Sequence, residues 1–229
     1  MWGAFAELQE RRPGGFRVAA LLRPADPAHG EDEAVWIARA RDAAGRGPLG
    51  HHTHWTAPDH ARPTGEGEPG LRVRQEAARL SELGLRPTLF CGGGWYSDAG
   101  VAEACAELGY TDCTPIAYRP SYLPNGAQWL SLAGPARVTL GSGRVLLALP
   151  STHSLGMAAR GVLAPSGLES DIVHLHFHDT DLVDARRRGA LVWTLRMLGR
   201  RSTATDLDAL AKMLAETAPE VPFEQVAVA

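Results

Sequence analysis

Lysine is almost missing from this sequence: Lys212 is the one lysine among 23 basic residues. Set against 26 acidic residues, they give a formal net charge of −3, which leaves no basic footprint for nucleic acid. Cysteine is scarce as well. Cys91, Cys105 and Cys113 are odd in number. They match neither a disulfide framework nor a Cys-x-x-Cys zinc knuckle, and they fit a reduced compartment. No apolar run reaches the roughly 20 residues that span a bilayer. The start, Met1-Trp2-Gly3-Ala4, is not a basic region leading into an apolar core. The sequence as given therefore reads as cytoplasmic, with neither a membrane nor a nucleic acid as partner; its oligomeric state is not legible. The G-x-S-x-G elbow of serine hydrolases is absent too.

Histidine, by contrast, is clustered. Of nine histidines, His51, His52, His54 and His60 fall in one window and His174, His176 and His178 in another. Alternate residues of a strand point to one face, so His52-Thr53-His54 and His176-Phe177-His178 can each present two imidazoles to one site. Imidazole is a usual ligand of zinc and similar divalent ions. The length of 229 residues, with 45% apolar and 21% charged residues, suits one large soluble domain.

Along the chain, helix and strand patterns alternate. Residues 4–11 read as a helix stopped by Pro13-Gly14-Gly15, and 16–22 as a buried strand. Glu31, Asp32 and Glu33 open a second helix that Gly45 ends. Residues 56–72 are a loop rich in proline, glycine and charge. A helix over 73–83 closes at Gly84, and 87–91 is a strand running into Gly92-Gly93-Gly94. Ser97 or Asp98 caps a helix that ends at Gly109, and 110–115 is a strand. After an irregular stretch over 117–135, residues 137–140 and 144–149 form a hairpin about Gly141-Ser142-Gly143. A strand over 171–177 leads into helices over 182–198 and 203–215. Residues 1–216 form the domain, and 217–229 a loose tail. Such alternation argues for parallel β/α units, in a barrel or an open sheet, with functional residues at the strand ends.

Four stretches, in this order, resemble the polysaccharide deacetylase family, carbohydrate esterases that remove acetyl groups from sugars: Phe5 to Leu22, Gly50-His51-His52-Thr53-His54, Glu82 to Trp95 with Glu107-Leu108-Gly109-Tyr110, and Ile172 to Asp179. The resemblance spans nearly the whole chain. It implies a distorted (β/α) barrel whose mouth holds a divalent metal, usually zinc, on an Asp-His-His triad. A carboxylate is the general base and a histidine on the last strand the general acid. Carried over, His52 is the first metal ligand. The commoner family pattern puts the second ligand at Thr56, and the variant H-x-H pattern puts it at His54. His178 is the expected general acid, with His176 the alternative. Trp55, Cys91, Trp95 and His176 are the expected substrate-binding residues. The implied activity is hydrolysis of a non-peptide C–N bond, an acetamide on a sugar or polysaccharide.

The sequence departs from the family pattern in two places. The family's paired aspartates precede its first helix, and this sequence begins inside that helix, so base and third ligand are not in it. Cys91 also stands where the family has the arginine that orients the base. One explanation is an upstream strand bearing the aspartates, preferred because a barrel without its first strand exposes two sheet edges. The other is a shortened, catalytically inactive protein that binds a carbohydrate or small ligand. Asp26 is a possible substitute ligand. His51 is expected to be structural, and Asp179 and Asp181, especially Asp181, to be caps of the following helix.

Overall fold

The structure, a computed structural model, describes residues 1–55, 62–63, 67–164 and 171–228. Thr56, His60 and most of the 56–66 loop lie outside the described residues.

The first helix, α1 (Trp2–Arg11), ends where Arg12 turns left-handed ahead of Pro13 and Gly14. Strand β1 is short, Ala20–Leu22; residues 16–19, expected to belong to it, do not pair in the sheet. Helix α2 (Glu33–Ala44) starts where the Asp32 carboxylate accepts from the Val35 N–H. Then come β2 (Leu49–Thr53), α3 (Pro69–Glu82) and β3 (Leu89–Gly92). Proline at the first turn of α3 loses no helical hydrogen bond. Asp98 is the cap of α4 (Ala99–Glu107), which leads to β4 (Thr111–Asp112). Within the irregular stretch lies β5 (Trp129–Leu130), and β6 (Ala136–Thr139) and β7 (Val145–Ala148) form the expected hairpin.

The sequence pattern missed β8 (His153–Ser154) and α5 (Leu155–Gly161), which have no strong periodicity. Strand β9 is only Leu175–His176. The helix expected over 182–198 is broken into α6 (Thr180–Val183) and α7 (Ala185–Gly199), because Asp184 leaves the helical conformation and caps α7 through the Arg186 and Arg187 N–H groups. Asp181 is therefore no cap. Its carboxylate accepts from the His178 backbone N–H at 3.0 Å and pairs with Arg187 at 3.1 Å. Asp179 does cap α6. Helix α8 (Leu207–Leu214) begins later than expected, at the Asp206 cap. The end of the chain, expected to be loose, is tied down. Strand β10 (Glu220–Pro222) pairs with β6, and β11 (Ala227–Val228), beyond the short helix α9 (Phe223–Val226), pairs with β5.

The main sheet runs β1-β2-β3-β4-β7-β6-β10. Neighbours from β1 to β7 are parallel, and the hairpin reverses the last two strands. This is a mixed α/β fold with a largely parallel sheet. Among the described residues the sheet is open and does not close into a barrel. A parallel bridge from Ile116 to Ser151 leads on to the separate β8–β9 pair.

Register divides the sheet's side chains between two faces. His51 pairs with Phe90, and Phe90 with Asp112. This row packs on α3 and α4, with Val73, Ala77, Val101 and Cys105 in the same core. The alternate row carries His52 beside Cys91. One core residue is badly solvated. Asp112 is fully buried; its Oδ1 accepts from the Thr114 N–H at 2.8 Å, and its Oδ2 has no hydrogen-bond partner among the described residues. Burial raises its pKa to about 6.

The folded state therefore binds the proton more tightly than the unfolded chain, whose aspartates titrate near 3.9. Stability is complete below about pH 4 and falls as pH rises through about 6, by roughly 3 kcal/mol in all. Asparagine keeps the acceptor for Thr114 but leaves its amide N–H groups unpaired, at a cost of about 1–2 kcal/mol. Asp112→Asn is thus expected to stabilise the protein by about 1 kcal/mol at pH 8 and to destabilise it at pH 4. Urea melts at the two pH values check this. Equal effects at both would show that the carboxyl is not the titrating group.

Candidate functional site

A cavity of about 790 Å³ opens between β1 and the segment around β9. Leu21, Cys91, Trp95, Cys113, His174 and His176 are among its lining residues. Next to Cys91 in the sheet, and not itself among the lining residues, His52 donates from Nδ1 to the Cys91 carbonyl at 2.8 Å. That bond fixes the tautomer and leaves Nε2 with its lone pair. Burial, and after it the nearby His54, lowers the His52 pKa to about 4, so the ring is neutral at physiological pH. The His54 ring stands edge-on at 4.9 Å, just past the end of β2.

His176 comes from β9 and lines the cavity. Burial, then the charges of His178 and His174, lowers its pKa to about 4. Its Nε2 is 3.4 Å from the Tyr118 hydroxyl, and its Nδ1 has no hydrogen-bond partner among the described residues. The exposed His178 ring lies edge-on to His176 at 6.1 Å. His178 is also close enough to His52 for its charge to act there. The two histidine windows, more than a hundred residues apart in sequence, therefore come within electrostatic range of each other.

Trp95 joins them. Its ring is edge-on to His176 at 4.7 Å, and its Nε1 donates to the Tyr122 hydroxyl at 2.6 Å. Its φ is +60°. That conformation is strained for a bulky residue, by about 1–3 kcal/mol, and such strain concentrates at functional sites. Gly92 allows the turn: a Cβ there would lie 2.2 Å from the Tyr96 carbonyl oxygen.

Trp55 does not join the cavity. Its ring packs in the core with Val73 and Tyr96, and its Nε1 donates to the Gly93 carbonyl at 3.0 Å. Cys91 lines the cavity as a mostly buried residue. Burial, with Asp112 next, pushes its thiol up to about 12, so it stays protonated at neutral pH. Asp26 is engaged elsewhere: it caps the turn Pro27–His29 through the Ala28 N–H and pairs with His29 at 2.9 Å. His51 is structural, as expected. Fully buried, it donates to Glu76 of α3 at 2.9 Å.

Sequence reasoning missed Tyr118, Tyr122 and Cys113. The tyrosines belong to the stretch without periodicity. Cys113 is placed by strand register, which sequence alone does not give.

The adjacent imidazoles of His52 and His54 suit a divalent metal. A zinc site needs at least three protein ligands, and among the described residues no group of three or more His, Cys, Asp or Glu side chains could hold an ion. Also among the described residues, no helix is long and apolar enough to cross a membrane.

No family model and no curated protein matches this chain. Among solved structures, the crystal structure of 4-alpha-glucanotransferase from Thermococcus litoralis is similar, with 12% identity and a TM-score of 0.47 over 96% of this chain and 33% of that one. The chain thus spans about a third of that protein's length. At this identity and TM-score the likeness carries no argument about fold or activity.

Proposed function

We propose that this chain is a polysaccharide-deacetylase-like protein that hydrolyses the acetamide C–N bond of an N-acetylated sugar with a divalent metal, zinc first. His52 and His54 are the proposed metal ligands, and His178 the general acid. The observation that carries this reading is the approach of the two histidine windows to within electrostatic range, His178 acting on His52, with the Cys91 bond leaving the lone pair of a neutral His52 on Nε2. A ligand histidine whose other nitrogen is tied to a carbonyl is the usual arrangement in metal sites. Bound zinc would polarise the acetyl carbonyl and lower the pKa of a bound water. Because the described residues offer two ligands and not three, no hydrolytic step is assigned to them alone.

The barrel belongs to the same proposal. Strands β1 and β9 flank the cavity, and one more strand between them would complete the ring that the family resemblance implies.

A second reading has its own observation in favour. The lack of a third ligand among the described residues and a protonated Cys91 in the arginine's place suit a non-catalytic protein that binds a carbohydrate in the cavity.

Zinc titration at neutral pH, followed calorimetrically, separates the two. The enzyme reading expects one zinc per chain and at least a tenfold loss of affinity in His52→Ala. It also expects acetate release from N-acetylglucosamine oligomers. Absence of zinc binding removes the metal reading. Saturable sugar binding without metal would then support the second.

A further inference from the structure

Two of the three cysteines are neighbours. Phe90 pairs with Asp112, and the Cys113 N–H donates to the Phe90 carbonyl at 2.8 Å. In a parallel ladder that bond places Cys113 directly beside Cys91. Both side chains line the same cavity, and both are free thiols. Cys105, on α4, is fully buried in the core on the other face of the sheet.

Paired residues on adjacent strands sit about 4.8 Å apart, and their Cβ atoms leave the sheet side by side. A disulfide needs Cβ atoms about 3.8 Å apart, so a direct S–S bond would have to pinch the two strands together by roughly 1 Å. A single bridging atom has a longer reach. With two bonds to sulfur of about 2.3 Å each, set at roughly 100° about a pyramidal trivalent atom, it holds the sulfurs about 3.5 Å apart, against about 2.05 Å in a disulfide. Charge narrows the choice further. The cavity is mostly apolar, and a charged thiolate complex there would be costly to desolvate. Hard cations that need preformed thiolates are disfavoured, and a reagent that yields a neutral bis-thiolate is favoured.

We infer that Cys91 and Cys113 form a two-thiol site for a soft thiophile that bridges them through one atom, a trivalent organoarsenical being the class that fits. For phenylarsine oxide, both thiol S–H bonds break and two As–S bonds form. The arsenic-bound oxygen leaves with the two protons as water, and no atom is oxidised or reduced. The bridge closes one wall of the cavity beside His52. It depends on neither zinc nor the proposed hydrolysis.

The sequence makes the test clean, because Glu82, Glu103 and Glu107 divide the three cysteines among separate peptides. The folded chain is treated with one equivalent of phenylarsine oxide, alkylated with N-ethylmaleimide in denaturant, cleaved after glutamate and mapped by mass spectrometry. One phenylarsine per chain is expected, with Cys91 and Cys113 protected and Cys105 alkylated. Cys105→Ala should keep the adduct, and Cys91→Ala should lose it. Mapping on the wild-type chain decides the matter even where a variant folds poorly. Absence of an adduct on the folded chain, or protection of Cys105, overturns the inference.

Discussion

Replacing Glu76 by alanine is expected to cost about 3 kcal/mol of stability, the low end of the range for breaking a buried ion pair. Glu76 ties helix α3 to the histidine strand at several points. It accepts from His51 at 2.9 Å, from the Thr53 hydroxyl at 2.9 Å and from Arg72 Nε at 2.9 Å. Arg72 in turn donates to the Trp55 carbonyl at 2.6 Å. These bonds hold both outward-facing residues of His51-His52-Thr53 and the backbone just past His54. Alanine would remove the shared acceptor of a fully buried imidazole and a buried hydroxyl; the two groups, 3.1 Å apart, can satisfy only one donor between them, and the orphaned one costs about 1–3 kcal/mol.

Burial pushes the Glu76 carboxyl up, but the His51 hydrogen bond and charge, with Arg72 and Thr53, outweigh it and hold the pKa below the ordinary value. The stability that Glu76 contributes is therefore present above the ordinary carboxylate range and lost as pH falls through its depressed pKa. Urea denaturation at pH 7 should show a lower midpoint with an unchanged slope, and the gap to wild type should shrink in acid. Hydrogen exchange should also quicken over residues 51–55, where the histidines of the site sit. A loss below about 1 kcal/mol would mean that the network is solvated and does not position the strand.

Gly14→Ala is expected to be at least as damaging, at about 3 kcal/mol or more. Gly14 has φ +71°, and a Cβ there would lie 2.1 Å from the Leu195 carbonyl oxygen of α7. The reciprocal approach is as close: a Cβ on Gly199 would lie 2.2 Å from the Gly14 carbonyl oxygen. The turn after α1 thus rests backbone to backbone on α7. Neither helix can yield without moving Leu195, which packs with Leu8, Leu182 and Leu191 and also lines the cavity. The left-handed conformation alone costs alanine about 1–2 kcal/mol, and the backbone overlap adds to it. A soluble variant with an unchanged midpoint in urea would show that the turn can shift freely, and with it the floor of the cavity.

Much of the fold was legible where a local rule had no competitor. Gly45 and Gly84 end helices because nothing in the tertiary structure opposes those stops. Asp98 caps α4 for the same local reason. The helix expected over 182–198 failed because its periodicity continues through Asp184, while that side chain gains more by capping α7 than by staying in a helix interior. The end of the chain looked loose because Glu220 to Pro222 is too short and polar to read as a strand. It becomes one by pairing with β6, a partner about eighty residues away in sequence.

The sequence by itself determined the helix stops and caps, the β/α alternation and the two histidine windows. Each depends on residues within a turn or two of one another, where side-chain period and backbone preference act directly. Tertiary structure alone decided that His178 comes within electrostatic range of His52, that Trp95 lines the cavity while Trp55 is core, and that Cys113 stands beside Cys91. These are matters of register and of which sheet face a residue occupies. A one-residue slip reverses every such assignment while leaving the local pattern unchanged.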